Sequence, residues 1–312
     1  MTARHQGRQW SSSRVLAGVA MGLALSVGSA AAQELTPRAY WPAPKGTGVA
    51  VLGYSYVSGD VLFDRSTPLY GVDSRFNVAI VAYLKTFSLW KRTTNVLVEL
   101  PYSWGVTEGT VVDTPARRDF SGIGDLGITM MVNLLGAPTM DVTGFQELRA
   151  NPRPILGASL KILAPTGAYD SNRLINVGTN RWAARTQLGF ILPLRPKLHL
   201  ELAAGAWFFG DDPEFLVGRK EQEPIFHGHL HLVRRFRPGL WASLDLNYYT
   251  GGRQTLGGQQ LSDVQKNSKV GFTVVVPFRG RNAIKLGYAI GAHTEYGGDF
   301  DQYLVVYQRV LK

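Results

Sequence analysis

From Lys197 to Thr250 the chain alternates. Leu198, Leu200, Leu202, Ala204, Ala206 and Phe208 fall at every second position, then Phe226, Leu230 and Leu232, then Leu240, Ala242, Leu244, Leu246 and Tyr248. Between them sit His199, Glu201, His227, His229, His231, Ser243, Asp245 and Asn247. Successive side chains on a strand point to opposite faces, so each run predicts one apolar face and one wet face. Each run is about 10 residues, the length a tilted strand needs to cross a bilayer. A soluble sandwich and a membrane barrel both fit this pattern, and the remaining segments decide between them.

The same alternation predicts strands over residues 47–57, 75–87, 95–104, 124–135, 155–164, 181–192, 269–278, 282–291 and 303–311. In the second, Phe76, Val78, Ile80, Ala82 and Leu84 share the face read as apolar. Pro101 counts against the third, because proline forfeits a ladder hydrogen bond. With the three central runs the total is about twelve, an even number, as in outer-membrane barrels. Polar stretches at 58–73, 105–121 and 165–179 alternate with short connections near Trp90, Arg195-Pro196, Arg237-Pro238-Gly239 and Arg279-Gly280-Arg281. The connection over 136–154 breaks this alternation and is expected to hold one helical turn around 142–148. Long loops at one end and tight turns at the other predict an all-β fold: a transmembrane antiparallel up-and-down barrel with long extracellular loops and short periplasmic turns. Closure also removes the unpaired strand edges that lipid would not tolerate.

The start of the chain agrees. Arg4, Arg8 and Arg14 precede an uncharged run from Val15 to Val27 and then Ala30-x-Ala32. This predicts a secretory signal over residues 1–32, cut after Ala32. Residues 33–46, with Pro37, Pro42 and Pro44, are expected as an extended periplasmic lead-in, and 47–312 as one barrel. Removing the three signal arginines takes the formal charge from +10 to +7. No basic cluster suggests nucleic acid, and the charge suits an anionic membrane surface or an anion-favouring lumen. The chain has no cysteine, so a hydrogen-bonded framework must hold it. Aromatics bracket the strands: Tyr54, Tyr56, Tyr102, Trp104, Trp207, Phe208, Tyr248 and Tyr249 beside long loops, and Phe87, Trp90, Phe236 and Phe278 beside short turns. They predict two interfacial girdles.

If the apolar face meets lipid, the wet face lines the lumen. The candidates for a solute path are Glu99, Asp125, Lys161, Arg185, Glu201, His227, His229, His231, Asp245, Lys269 and Lys285. A Lys or Arg facing lipid at midplane costs about 2–4 kcal/mol, which favours the inward assignment. A three-residue Arg-Pro-Gly turn would pair Phe236 with Leu240, set His231 opposite Asp245 and His229 opposite Asn247, with Gly239 in the left-handed position. The His227-x-His229-x-His231 row reads as a polar wall, since imidazoles two residues apart are spaced widely for one tetrahedral metal ion. No metal or cofactor is expected. Hydrolysis is not expected either, because Ser243 falls opposite Val233 and no Gly-x-Ser-x-Gly occurs.

Several segments together resemble a family of Gram-negative outer-membrane transporters named for the MetA pathway of phenol degradation. They are residues 38–47 running into Gly53-Tyr-Ser-Tyr56, Gly122-Ile-Gly-Asp-Leu126, Asn133-Leu-Leu-Gly-Ala-Pro138, Ala164-Pro-Thr-Gly-Ala-Tyr169, Asn176-Val-Gly-Thr-Asn-Arg-Trp182 and Tyr248-Tyr-Thr-Gly-Gly252. The resemblance implies a membrane barrel passing small hydrophobic or aromatic compounds. Outer-membrane strands commonly end on a terminal aromatic read by the barrel-assembly machinery, whereas this sequence ends Val310-Leu311-Lys312 with Tyr307 nearest. The expected partners are outer-membrane lipid, a small-molecule solute and that machinery. Passive uptake is the leading expectation. A plugged structural or adhesive barrel is the alternative, which Trp207, Trp241 and Arg185 pointing inward would favour. A barrel-borne lipid hydrolase is the third.

Overall fold

The computed structural model describes residues 36–62, 69–111, 113–216 and 218–311. The expected signal over 1–32 lies outside the described residues. The strands are β1 (Gly48–Leu62), β2 (Leu69–Leu89), β3 (Arg92–Val111), β4 (Thr114–Ile123), β5 (Leu126–Leu135), β6 (Ile155–Ala164), β7 (Ala183–Arg195) and β8 (Leu198–Phe209). They continue as β9 (Asp212–Phe215), β10 (Gly218–Gln222), β11 (Ile225–Arg237), β12 (Leu240–Gly251), β13 (Gln254–Leu256), β14 (Gln259–Gln260), β15 (Gln265–Phe278), β16 (Asn282–His293) and β17 (Gly297–Val310). Among the described residues one helix, α1 (Val142–Ala150), follows β5.

A 13-stranded antiparallel sheet closes on itself through β1 against β17. β4 and β5 share one place beside β3, so the wall has twelve staves. The break between them falls beside Pro101. β3 pairs with β5 up to Glu99↔Gly127 and with β4 from Tyr102↔Ile123, leaving an extra residue on the facing strand. The donor that proline lacks therefore falls at a bulge, where no ladder bond is lost.

The outer face is an apolar belt. Leu52, Val81, Leu100, Ile128, Leu188, Leu202, Leu244, Leu246, Phe272, Leu286 and Val305 are all exposed there. A water-soluble protein rarely exposes so continuous a patch. The girdle residues Tyr54, Tyr102, Trp104, Phe208 and Tyr248 lie on this face at the loop end, and Trp90, Phe236 and Phe278 at the turn end. Trp207 and Tyr249 do not join them. Both are 1% exposed and point inward, because they fall on the opposite strand phase from Phe208 and Tyr248.

Three further expectations change. β2 is apolar on both sides, so alternation left its phase undetermined: Phe76 and Ala82 are buried inside while Val81 and Tyr83 face out. Most of the 58–73 and 105–121 stretches are not loops. β1 to β4 run on as long hairpins beyond the belt, and 303–311 is only the second half of β17. The turn after β11 is two residues, not three. It pairs Arg237 with Leu240 across a bulge and leaves Phe236 unpaired, although Gly239 does take a left-handed φ of 81°. The turn between β2 and β3 places both Trp90 and Lys91 at positive φ, 50° and 60°, the geometry whose twist suits a hairpin.

Candidate solute pathway

Both ends of the barrel are closed by side chains from its own connections. At the loop end, inward Val57, Val61, Val72, Phe76, Phe120 and Phe300 pack with Leu174, Ile175, Val177, Phe215, Leu256 and Leu261 from the loops. The loop over 165–182 is tied down by Asp125, which accepts from Gly167 N at 2.9 Å, Thr179 N at 2.9 Å and Thr179 Oγ1 at 2.6 Å. Gly167 and Gly178 let the two arms of that loop touch: a Cβ at 167 would lie 2.7 Å from Gly178 Cα. A second sheet, β14-β13-β10-β9, braces the cap. There Asp212 accepts from Tyr169 Oη at 2.5 Å and Asn180 Nδ2 at 2.8 Å. Arg181 lies 4.7 Å from the Phe209 ring, and burial lowers its guanidinium to about 10 against the pull of Asp212 and Asp211.

At the turn end the described part of the expected extended lead-in, residues 36–46, instead folds back into the barrel. Residues 37–40 form a turn, with Arg38 at φ 66°. Tyr40 lies over the inner face of the paired strands β6 and β7, where Gly157 opposite Gly189 leaves room. A Cβ at either would lie 2.3 or 2.0 Å from the tyrosine ring. Its hydroxyl meets Ser159 Oγ at 2.9 Å. Arg38 N donates to Glu201 Oε2 at 2.7 Å, and its guanidinium stands over Trp41 at 4.8 Å and Trp241 at 5.2 Å. Burial pushes that guanidinium down to about 10, with Glu201 acting the other way. The irregular connection over 136–154 completes this plug. α1, capped by Asp141 accepting from Gly144 N at 2.8 Å, packs Leu148 with Tyr40, Met140, Ile155 and Ile191. The helix covers nine residues where one turn was expected.

Between cap and plug lies a cavity of about 460 Å³. One wall is apolar: Val49, Val51, Val78, Ile80, Leu84, Leu97 and Val306 from β1, β2, β3 and β17. The sequence reading missed this wall, since apolar residues were assigned to lipid. The predicted candidates on β7, β8, β11, β12 and β15 point inward but lie outside this lining, and their register sets them in rows. One row is Gln187, Gly205, His227 and Tyr249, the next Gly189, Ala203, His229, Asn247 and Lys269, and the third Ile191, Glu201, His231 and Asp245. Glu99, Asp125, Lys161 and Lys285 line the cavity itself. All eleven candidates face inward, and they engage differently. Lys161 pairs with Glu99. His231 Nδ1 meets Asp245 Oδ1 at 2.7 Å, and Thr273 Oγ1 donates to Asp245 Oδ2 at 2.9 Å. The rings of His227 and His229 lie tilted to one another with centroids 4.9 Å apart, and neither ring nitrogen of either has a hydrogen-bond partner. Among the described residues no three His, Asp or Glu side chains converge as a metal set would. Sequence reasoning gave no role to Arg38, Tyr40 or Trp41, although they stood in the segment that carried the family resemblance.

A closed twelve-stave barrel with a lipid-facing belt and a lumen lined by apolar and polar side chains belongs to the class of transmembrane β-barrels. Within that class the chain belongs to the family described as "Putative MetA-pathway of phenol degradation", which matches residues 40–297. Among solved structures, an outer membrane channel from Pseudomonas putida F1 superposes with a TM-score of 0.74 at 22% identity, covering 89% of this chain and 100% of that one. The β-domain of the Bordetella autotransporter BrkA gives 0.49 at 10% identity, covering 86% and 100%. The KdgM porin gives 0.44 at 8% identity, covering 84% and 99%. No curated protein sequence matches the chain.

Proposed function

We infer that this protein is a channel of the bacterial outer membrane through which small solutes, hydrophobic or aromatic compounds among them, pass down their gradient. The observation that carries the reading is the cavity of about 460 Å³ inside the barrel, lined by an apolar wall together with Glu99, Asp125, Lys161 and Lys285. An apolar ring resting on Val78 and Ile80 could keep a polar substituent against Glu99, Lys161 or Lys285 of the same lining. A structural barrel would be expected to fill that space with side chains, as small barrels do. The export signal read from residues 1–32 and the lipid-facing belt support the outer membrane as its location. Passage requires the Arg38–Trp41 plug and the apolar cap to yield, so flux is gated rather than open.

The second reading, a structural or adhesive barrel, has its own support, because the same cap and plug close both ends. Catalysis is not part of the function we infer. Ser243 stands opposite Val233 in the ladder, and no serine–histidine hydrogen bond forms among the described residues. Uptake of radiolabelled benzamide into proteoliposomes separates channel from structural barrel. The channel reading expects uptake above protein-free liposomes and faster uptake with Tyr40→Ala. Rates equal to protein-free liposomes for both proteins would leave the structural barrel.

A further inference from the structure

The acids and bases inside the barrel are unevenly matched. Glu99 is held by Lys161, Asp245 by His231 and Thr273, and Asp125 by the backbone and side chain of the 165–182 loop. Glu201 is held through Oε2 by Arg38 N, and its Oε1 has no partner. Arg185 has no such match. It is 6% exposed, its Nε has no hydrogen-bond partner, and no carboxylate pairs with it among the described residues. A buried guanidinium without an anion is costly unless something supplies the anion.

The surroundings of Arg185 are donors and rings. Its guanidinium stands 5.3 Å from the Trp207 ring, and Trp207 Nε1 is itself unpartnered. In the next row is His227, whose ring leans over Gly205: a Cβ there would lie 2.9 Å from His227 Cε1. His227 and His229 are each at least nine-tenths buried, with all four ring nitrogens unpartnered. Tyr249 flanks both imidazoles at 6.3 and 6.1 Å. One guanidinium fork, an indole N–H and two imidazoles thus face the same side of the lumen, just above Tyr40. A carboxylate presents two oxygens with about four lone-pair sites, and a guanidinium can hold it through two parallel hydrogen bonds. The nearby rings of Trp207 and Tyr249 suit an aromatic body on that carboxylate.

We propose that Arg185, Trp207, His227 and His229 form a binding site for the carboxylate of a small aromatic acid in the channel. The proposal rests on the channel reading above and names its solute class: aromatic acids in preference to their neutral amides. Arg185 is the anchor, and the two histidines and the indole complete the donor set.

The test is equilibrium dialysis of the purified full-length barrel against radiolabelled benzoate and benzamide, with uptake of both into proteoliposomes. Wild type should bind benzoate more tightly than benzamide. Arg185→Gln should weaken benzoate at least about tenfold, the scale of losing a charge-assisted hydrogen bond, and weaken benzamide by much less. Arg185→Lys should fall between, since it keeps the charge and loses the fork. His227→Gln, read beside Arg185→Gln, keeps the test open if one variant fails to show the heat-modifiable gel shift of a folded barrel. Equal binding of acid and amide by wild type, or unchanged benzoate binding in Arg185→Gln, overturns the site. Benzamide uptake without benzoate preference would sink the site and keep the channel. Arg185-dependent binding without any uptake would keep the site and sink the channel.

Discussion

His231 and Asp245 form a buried pair across neighbouring strands, with Nδ1 of the imidazole 2.7 Å from Oδ1 of the carboxylate. The second carboxylate oxygen accepts from Thr273 Oγ1 on the next strand, so one aspartate joins β11, β12 and β15. Asp245→Ala orphans two buried groups, at about 1–3 kcal/mol each, and should lower the unfolding midpoint in detergent clearly. Asp245→Asn keeps an acceptor and a donor in place and should lose less. His229→Ala removes a ring whose nitrogens bond nothing, so its loss should be smaller than that of Asp245→Ala. Equal midpoints for Asp245→Ala and wild type would mean that the pair does not brace the wall.

Tyr40 reaches its site only because β6 and β7 present glycines there. A side chain at residue 189 would begin 2.0 Å from the ring, closer than any packing allows. Gly189→Val should therefore expel Tyr40 without altering the N-terminal segment itself. We expect its single-channel conductance in planar bilayers to rise above wild type and to match that of Tyr40→Ala. A Gly189→Val conductance at the wild-type level would show that the plug is held by Arg38, Trp41 and α1 alone.

The barrel was legible in the chain because lipid enforces strict alternation, and most strands obey it. The paired aspartate and histidine were also legible, since register fixes which residues face each other. β2 was not, because it is apolar on both faces: one meets lipid and the other lines the cavity. The plug was hidden for a different reason. Prolines at 37, 42 and 44 exclude a strand, but they say nothing of where Tyr40 goes. The signal that could have found it is the pair of glycines, Gly157 and Gly189, at inward positions of adjacent strands, a hole waiting for a ring. The unpartnered state of Arg185 lies beyond sequence altogether, because it depends on where each interior acid finds its partner.

The loop-end cap should respond to alkaline pH through Tyr169. Burial raises its hydroxyl well above the ordinary tyrosine value of 10.0, and the hydrogen bond to Asp212 raises it further, since a phenolate beside that carboxylate would be repelled. A group whose pKa is raised on folding contributes stability that is whole below its unfolded value and lost as pH climbs through the folded one. The contribution of the Tyr169–Asp212 bond is thus intact below pH 10 and declines above it. Asn180 still holds Asp212 at 2.8 Å, so the cap should loosen rather than detach. Tyr169→Phe removes the bond at every pH. Limited proteolysis of the 165–182 loop in the detergent-solubilised barrel should therefore accelerate above pH 10 in wild type. In Tyr169→Phe it should be faster already at pH 8, with a weaker rise beyond pH 10 once the protease's own pH profile is divided out on a denatured substrate. The same alkaline rise in both proteins would assign the response to another group and remove Tyr169 from the cap's hold on the lumen.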